Sequence, residues 1–307
     1  MLANSFIAIH NNSTVDIKVY WKRKQKLVDQ ALNRELPPKD KKPSTIHTAM
    51  RYSIFAGGKR LRPIICLASA EALGGDVQNA LPLACAVECI HTYSLIHDDL
   101  PCMDDDDLRR GMPTSHKKFG EGIAVLTGDA LLTEAFAIAS RCKGWKNYST
   151  AKIIQEIAQA SGSQALIAGQ VVDLECEGKK ITPTQLRYIH NNKTAALISA
   201  SIRLGAMSAN ASPSRLKLMT EFGQALGLAF QIIDDILDIT QTSAELGKSA
   251  GKDLTSEKAT YPSILGMAKA QKEAKRLTDL AFNKVRSLGK KAEALQAISA
   301  YLLERKS

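Results

Sequence analysis

Apolar residues recur at three- and four-residue spacing along most of the chain, and strict alternation is scarce, so the pattern predicts helices rather than strands. A basic amphipathic segment near residues 15–36 comes first and is interrupted by Pro37, Pro38 and Pro43. Ser44 is placed to cap a helix running through Ile54 that ends at Gly57-Gly58, and Pro63 suits the first turn of the next helix. Helical periodicity resumes over 61–73, 77–99, 122–140, 148–174, 191–207 and 214–239, and again in the C-terminal third. No Gly- or Ser-rich tract separates two apolar halves. The expectation is one all-α domain over residues 15–307, preceded by a loose extension at 1–14.

Two of these helices combine features that rarely meet. LPLACAVECIHTYSLIHDDL and FGQALGLAFQIIDDILDI are apolar over most of their length, yet each finishes in paired aspartates. A greasy helix ending in acids implies a deep apolar cavity with a charged mouth, which suits a molecule with a hydrocarbon tail and an anionic head. Asp234 and Asp238 are four apart and share a helix face, with Asp235 projecting aside. Like charges at that spacing repel unless a cation sits between them, and magnesium, which takes few carboxylates and completes its shell with water and phosphate oxygens, is apt. Asp98 and Asp104 are six apart and do not share a face of a regular helix. Pro101 lacks a backbone donor and favours a bend that would return Asp104 to the Asp98 side. The run Asp104–Asp107 is equally readable as a plain solvated loop.

Charge changes the picture next. The chain of 307 residues carries a formal net charge of +10, and residues 1–45 hold nine Lys or Arg against four Asp or Glu, a net +5. No zinc finger, aromatic RNA-binding signature or Gly-rich RNA clamp accompanies that charge, so nucleic acid is set aside in favour of anionic small substrates and ordinary surface. Lys59, Arg60 and Arg62 follow the Gly57-Gly58 break, Arg109-Arg110 follows the acidic loop, Lys193 opens a helix with Asn191 as candidate cap, and Lys248 and Lys258 follow DDILD. Arginine's planar fork matches phosphate oxygens, whereas lysine supplies a mobile point charge. Together they form a coherent set for two diphosphates, one held through magnesium and one directly. The six cysteines contain no CxxC pair and read as small buried hydrophobes. MLANSFIAIHNN lacks the pattern of a signal peptide, no uncharged apolar run reaches membrane-spanning length, and cytoplasm is the default.

GGKRLRP at 57–63, HTYSLIHDDLPCMDDDDLRRG at 91–111, GDALLTEAF at 128–136, GQVVDL at 169–174, KTAALI at 193–198, FQIIDDILD at 230–238 and GKDLTSEKATYP at 251–262 follow one another in order. In this the chain resembles the trans-isoprenyl diphosphate synthases, close to bacterial farnesyl diphosphate synthases and their geranylgeranyl relatives, over roughly residues 20–307. The resemblance implies an isoprenoid-synthase helical bundle and a homodimer. It also implies head-to-tail condensation of an allylic diphosphate with isopentenyl diphosphate, assisted by three magnesium ions. Carried over by motif, Asp98, Asp104 and Asp234 bind metal, with Asp99, Asp235 and Asp238 supporting. Arg109, Lys193, Lys248 and Lys258 grip the allylic diphosphate. Gly58, Lys59, Arg62, His91 and Arg110 define the isopentenyl diphosphate site. Thr194 and Gln231 line the reaction centre, Gln170 and Asp173 orient it, and Arg305 or Lys306 resembles a basic tail that closes over diphosphate. Terpene cyclases share the ionisation chemistry but lack a GGKR-type site, and a noncatalytic subunit would not need intact acidic and arginine motifs.

Chain length hangs on Tyr93, with Ser94 beside it. Tyr93 lies five residues before Asp98, about 7.5 Å along a helix of normal rise, where a growing tail would meet it. The resemblance places an aromatic there in bacterial farnesyl synthases, so a C15 product is expected, with C20 as the alternative. Simple packing of Tyr93 between helices remains open.

Overall fold

The computed structural model describes residues 15–240 and 259–303, so residues 1–14, Lys248, Lys258, Arg305 and Lys306 lie outside the described residues. The helices run in chain order as α1 (Ile17–Glu35), α2 (Ser44–Phe55), α3 (Leu61–Ala72) and α4 (Val77–Asp98). A short hairpin, β1 (Leu108–Arg109) with β2 (Met112–Pro113), is followed by α5 (Ser115–Phe119), α6 (Glu121–Ser140), α7 (Thr150–Ser161), α8 (Leu166–Cys176) and α9 (Pro183–Ile189). A π-helical turn at His190–Ala195 leads into α10 (Ala196–Ser208) and α11 (Pro213–Thr240), then α12 (Tyr261–Leu265), α13 (Met267–Arg286) and α14 (Glu293–Leu303). The all-α bundle expected from the apolar spacing is what forms.

α4 is apolar on every side, as a helix must be when neighbours surround it, and α3, α6, α10 and α1 all pack on it. Leu83, Val87 and Ile90 on α4 are fully buried. A second core gathers Ile64 and Ile65 of α3, Ile202 of α10, Phe222 of α11 and Leu295 and Ile298 of α14. α10 touches both α4 and α11, and therefore joins the two helices that carry the acidic motifs. Among the described residues α6 is long and apolar enough to cross a membrane by length and composition, although Glu121, Asp129 and Glu134 interrupt it, so it is not an uncharged run. It packs instead on α4 and α2, with Ala124, Leu131, Ala135 and Ile138 buried.

Three local expectations change. Ser44 is the first helical residue rather than the cap, a position occupied by Pro43. The predicted helix over 148–174 is two helices, divided at Gly162, where a Cβ would lie 2.7 Å from the Ala158 carbonyl. Asn191 caps nothing, because the chain passes from α9 through the π-helical turn into α10 without ending. Two glycines make room for that wider turn. A Cβ on Gly169 would lie 2.2 Å from the Lys193 nitrogen, and one on Gly227 would lie 2.6 Å from the Ala195 Cβ. α8 and α11 thus clasp the turn at backbone distance, and π-helical turns of this kind concentrate at functional sites.

Candidate active site

The first acidic motif folds back on itself just beyond α4. The Asp104 amide donates to the Asp98 carbonyl at 2.9 Å, the Asp105 amide to the Leu100 carbonyl at 3.2 Å and the Asp106 amide to the Asp99 carbonyl at 3.2 Å. Asp105 takes a left-handed backbone to close this loop. Asp104 therefore does return to Asp98, as the bend at Pro101 requires. Burial pushes the Asp98 carboxyl above its ordinary value, the Lys193 charge pulls it back, and Asp104 pushes it up further. Crowded carboxylates of this kind are relieved by a cation, so Asp98 and Asp104 fit a hard divalent ion such as magnesium.

Asp99 behaves differently. It is buried, and the Arg109 guanidinium engages both its oxygens, through Nε at 2.8 and 2.9 Å and through Nη2. Arg109 also reaches Asp106 at 3.5 Å. Its neighbour Arg110 turns the other way from a left-handed backbone and donates to the Gly57 carbonyl.

Gly58, Lys59, Arg62, His91 and Arg110 line a single cavity of about 510 Å³. Gly58 is required there by space, because a Cβ would lie 2.4 Å from the Arg110 guanidinium. Arg62 Nη1 sits 3.2 Å from His91 Nε2, and since a guanidinium only donates, Nε2 accepts and the imidazole is neutral. Burial, reinforced by Arg62, Arg110, Arg109 and Arg60, holds the His91 imidazole well below its ordinary value. Burial also lowers Arg62, to about 10, with Glu88 opposing and Arg110 adding to the shift. Arg62 Nε is buried without a hydrogen-bond partner, a donor suited to an anion. Arg60, adjacent in sequence, does separate work: it is buried and donates to Asp29 and Glu88, both at 2.8 Å, and to the Ile54 carbonyl at 2.6 Å.

Sequence reasoning missed the support for this loop. α1 sends Trp21 Nε1 to the Lys59 carbonyl at 2.8 Å and Gln25 Nε2 to the Gly58 carbonyl at 2.9 Å. The only signal was an aromatic and an amide four apart on a basic amphipathic helix.

On α11, Asp234 is half-buried, whereas Asp235 and Asp238 are buried. Asp235 accepts from the Tyr261 amide at 2.9 Å and from Gln231 Nε2 at 3.1 Å, and His190 Nε2 lies 3.5 Å away. The His190 ring stacks on Tyr261 with centroids 5.3 Å apart, and burial lowers it to about 4, which leaves it neutral. His190 and Tyr261 were not anticipated. Thr194 lies half-buried in the π-helical turn beside Lys193, whose Nζ pairs with Asp173 of α8 at 2.7 Å. Gln170 is half-buried one helical turn earlier on α8. Tyr93 is buried, with its ring edge-on to His97 at 5.8 Å, and burial with the Asp98 charge pushes its hydroxyl up to about 12. Ser94 donates to the His91 carbonyl at 3.0 Å. Two larger hollows, of about 840 and 620 Å³, contain none of these residues, and Arg203, which lines both, is paired with Glu156 at 2.6 Å. One further group of potential metal donors, Asp105, Asp107 and His116, lies beside the acidic loop.

A basic cavity set against two acid-tipped helices defines a prenyltransferase of the isoprenoid-synthase class. The chain belongs to the polyprenyl synthetase family, whose model it matches over residues 43–298. It is 45% identical over 302 residues to the large subunit 1 of the chloroplastic heterodimeric geranylgeranyl pyrophosphate synthase of Arabidopsis thaliana, covering 96% of this chain and 81% of that one. It is 46% identical to the chloroplastic geranylgeranyl pyrophosphate synthase of Catharanthus roseus, covering 96% and 83%. Among solved structures, a putative farnesyl-diphosphate synthase of Marinomonas sp. MED121 superposes with a TM-score of 0.81 at 38% identity, covering 94% and 100%. The apo FPP/GFPP synthase of Zymomonas mobilis gives 0.84 at 35%, covering 94% and 99%.

Magnesium-dependent, head-to-tail prenyl chain elongation is the activity these relationships support. Two expectations change with them. The cytoplasmic assignment is overturned, because most of the similar curated proteins are chloroplastic. That default rested on what the first residues lack, which carries no positive information about location. The farnesyl product also yields ground, since the similar curated sequences are geranylgeranyl and geranylfarnesyl synthases.

Proposed function

We propose that this enzyme adds isopentenyl diphosphate repeatedly to an allylic diphosphate primer and releases C20 geranylgeranyl diphosphate. The observation that carries the condensation is the 510 Å³ cavity in which Gly58, Lys59, Arg62, His91 and Arg110 converge. Sequence similarity at 44–46% to several geranylgeranyl synthases supports the C20 product.

In this reading Lys59, Arg62 and Arg110 bind the isopentenyl diphosphate, and neutral His91 orients Arg62. Asp98, Asp104 and Asp234 hold magnesium, with Asp99, Asp235 and Asp238 in support. Bound magnesium supplies positive charge to the departing diphosphate of the allylic substrate, where negative charge builds as the carbon–oxygen bond breaks. Arg109 and Lys193 bind that same diphosphate, joined by Lys248 and Lys258 outside the described residues. Thr194, Gln231 and the carbonyls of the π-helical turn face the allylic cation, while Gln170 and Asp173 orient the reaction centre, Asp173 through its pair with Lys193. The isopentenyl double bond then forms the new carbon–carbon bond, and the released diphosphate takes the proton. Packed apolar helices exclude water, which would otherwise trap the cation. A homodimer accords with the exposed apolar Val125 and Leu126 on α6.

A C15 farnesyl product is the second reading, favoured by the bulk of buried Tyr93 one and a half turns from Asp98. Chromatography of the products from purified enzyme, a dimethylallyl primer and excess isopentenyl diphosphate separates the two. Mainly C20 supports the proposal, and mainly C15 overturns it in favour of Tyr93 as the floor.

A further inference from the structure

A second set of metal donors sits beside the first acidic motif and uses neither Asp98 nor Asp104. One ring nitrogen of His116 and one carboxylate oxygen from each of Asp105 and Asp107 lie within 4.8 Å of one another. The two acids are exposed, whereas His116 is only 6% exposed. Its Nδ1 lies 3.2 Å from the Thr114 hydroxyl, which in turn lies 3.3 Å from the Asp107 carbonyl. A hydroxyl has one proton. Given to the carbonyl, it leaves the hydroxyl oxygen to accept from Nδ1–H, and Nε2 then bears the lone pair. Nε2 is buried and has no hydrogen-bond partner. A buried acceptor left unmatched costs stability, and an imidazole oriented through its other nitrogen is the arrangement in which metal-binding histidines are held.

An imidazole with two carboxylates is a mixed nitrogen–oxygen donor set, better matched to Mn²⁺ or Zn²⁺ than to magnesium. We propose that Asp105, Asp107 and His116 form a transition-metal site distinct from the magnesium site of Asp98 and Asp104. Lys117 Nζ occupies Asp107 Oδ1 at 2.8 Å, which leaves the other oxygen for the ion. The Thr114 amide donates to the Asp107 carbonyl at 3.0 Å and closes the base of the hairpin that carries Arg109 and Arg110. An ion at that base ties the acidic loop to α5 and steadies both arginines. The site is independent of product length.

Electron spin-echo envelope modulation on the full-length enzyme loaded with Mn²⁺, without diphosphate, tests this directly. A site built from Asp98, Asp104 and Asp234 is all oxygen and gives no coupling to a coordinated nitrogen. The expected spectrum shows imidazole nitrogen coupling in the wild type, retained in Asp98→Asn and lost in His116→Gln. No nitrogen coupling in the wild type, its survival in His116→Gln, or its loss in Asp98→Asn would overturn the proposal. Should His116→Gln fail to fold, exposed Asp105→Asn provides the second test. It should weaken Mn²⁺ at the nitrogen-coupled site by at least about tenfold, and unchanged affinity overturns the assignment.

Discussion

In sequence both acidic motifs present a DD pair at the end of an apolar helix, yet their backbones are built differently. The first is a loop folded back by amide-to-carbonyl hydrogen bonds, so that Asp104 meets Asp98 across six positions. The second lies on the unbroken helix α11, where helical geometry alone spaces the acids. What they share is a division within the pair. Asp98 and Asp234 are half-buried, while Asp99 and Asp235 are buried and bonded to the fold, through Arg109 and through the Tyr261 amide respectively. Neighbours on a helix point about 100° apart, so one aspartate of each pair can face the site while the other anchors the wall behind it.

The sharpest way to break this division is to compare turnover with stability. Asp98→Ala and Asp234→Ala should each lower turnover by about 100-fold or more, the scale of losing a preorganised group that stabilises transition-state charge. Their melting temperatures should not fall below wild type. Turnover within a few-fold of wild type would show that the half-buried members are not the working ones.

Asp235→Ala should do something different, costing about 1–3 kcal/mol of stability by stranding the Tyr261 amide and Gln231. Denaturant melts measure it, and an unchanged midpoint would mean that Asp235 anchors nothing.

Arg109 and Arg110 carry the comparison into the hairpin. Arg110→Ala should raise KM for isopentenyl diphosphate by about tenfold, the loss of one charge-assisted contact, and leave the melting temperature alone. Arg109→Ala should act mainly on the allylic substrate and also lower the melting temperature, because Asp99 loses the partner for its buried charge. Equal effects of the two variants on both substrates and on stability would remove the distinction.

The smallest effect tests the sign of the Asp98 shift. A carboxyl raised in the folded state binds its proton more tightly there, so its charge weakens the fold at neutral pH, and the deficit shrinks as pH falls through the raised value. Asp98→Asn should therefore raise the melting temperature of metal-free protein at neutral pH by about 2–4 °C, and the gain should fade in acid. A lower melting temperature at neutral pH would mean that the charge of Asp98 is already balanced.

The helical class and the acid-tipped helices were legible in the sequence from periodicity, whereas the grouping of Gly58, Lys59, Arg62, His91 and Arg110, which lie in separate segments, came only from the family resemblance. The division within each DD pair was not legible, since it depends on what lies across the chain: Arg109 for Asp99, and Tyr261 with His190 for Asp235. The π-helical turn was also invisible. It sits where Gly169 and Gly227 approach closely from two other helices, and residues 191–207 alone look like an ordinary helix. Arg60 and Arg62 look equivalent in GGKRLRP, yet a left-handed backbone at Arg60 turns its side chain into the core toward Glu88, while Arg62 lines the cavity.

The family's match begins at residue 43, after α1 has ended. Trp21 and Gln25 nevertheless hold the carbonyls of Lys59 and Gly58 from outside that boundary. The evolutionary module and the working mechanical unit therefore have different edges. An N-terminal deletion trimmed to the matched region would keep every signature motif and still loosen the basic loop, so α1 is a splint for that loop and, through Trp21, part of the cavity wall itself.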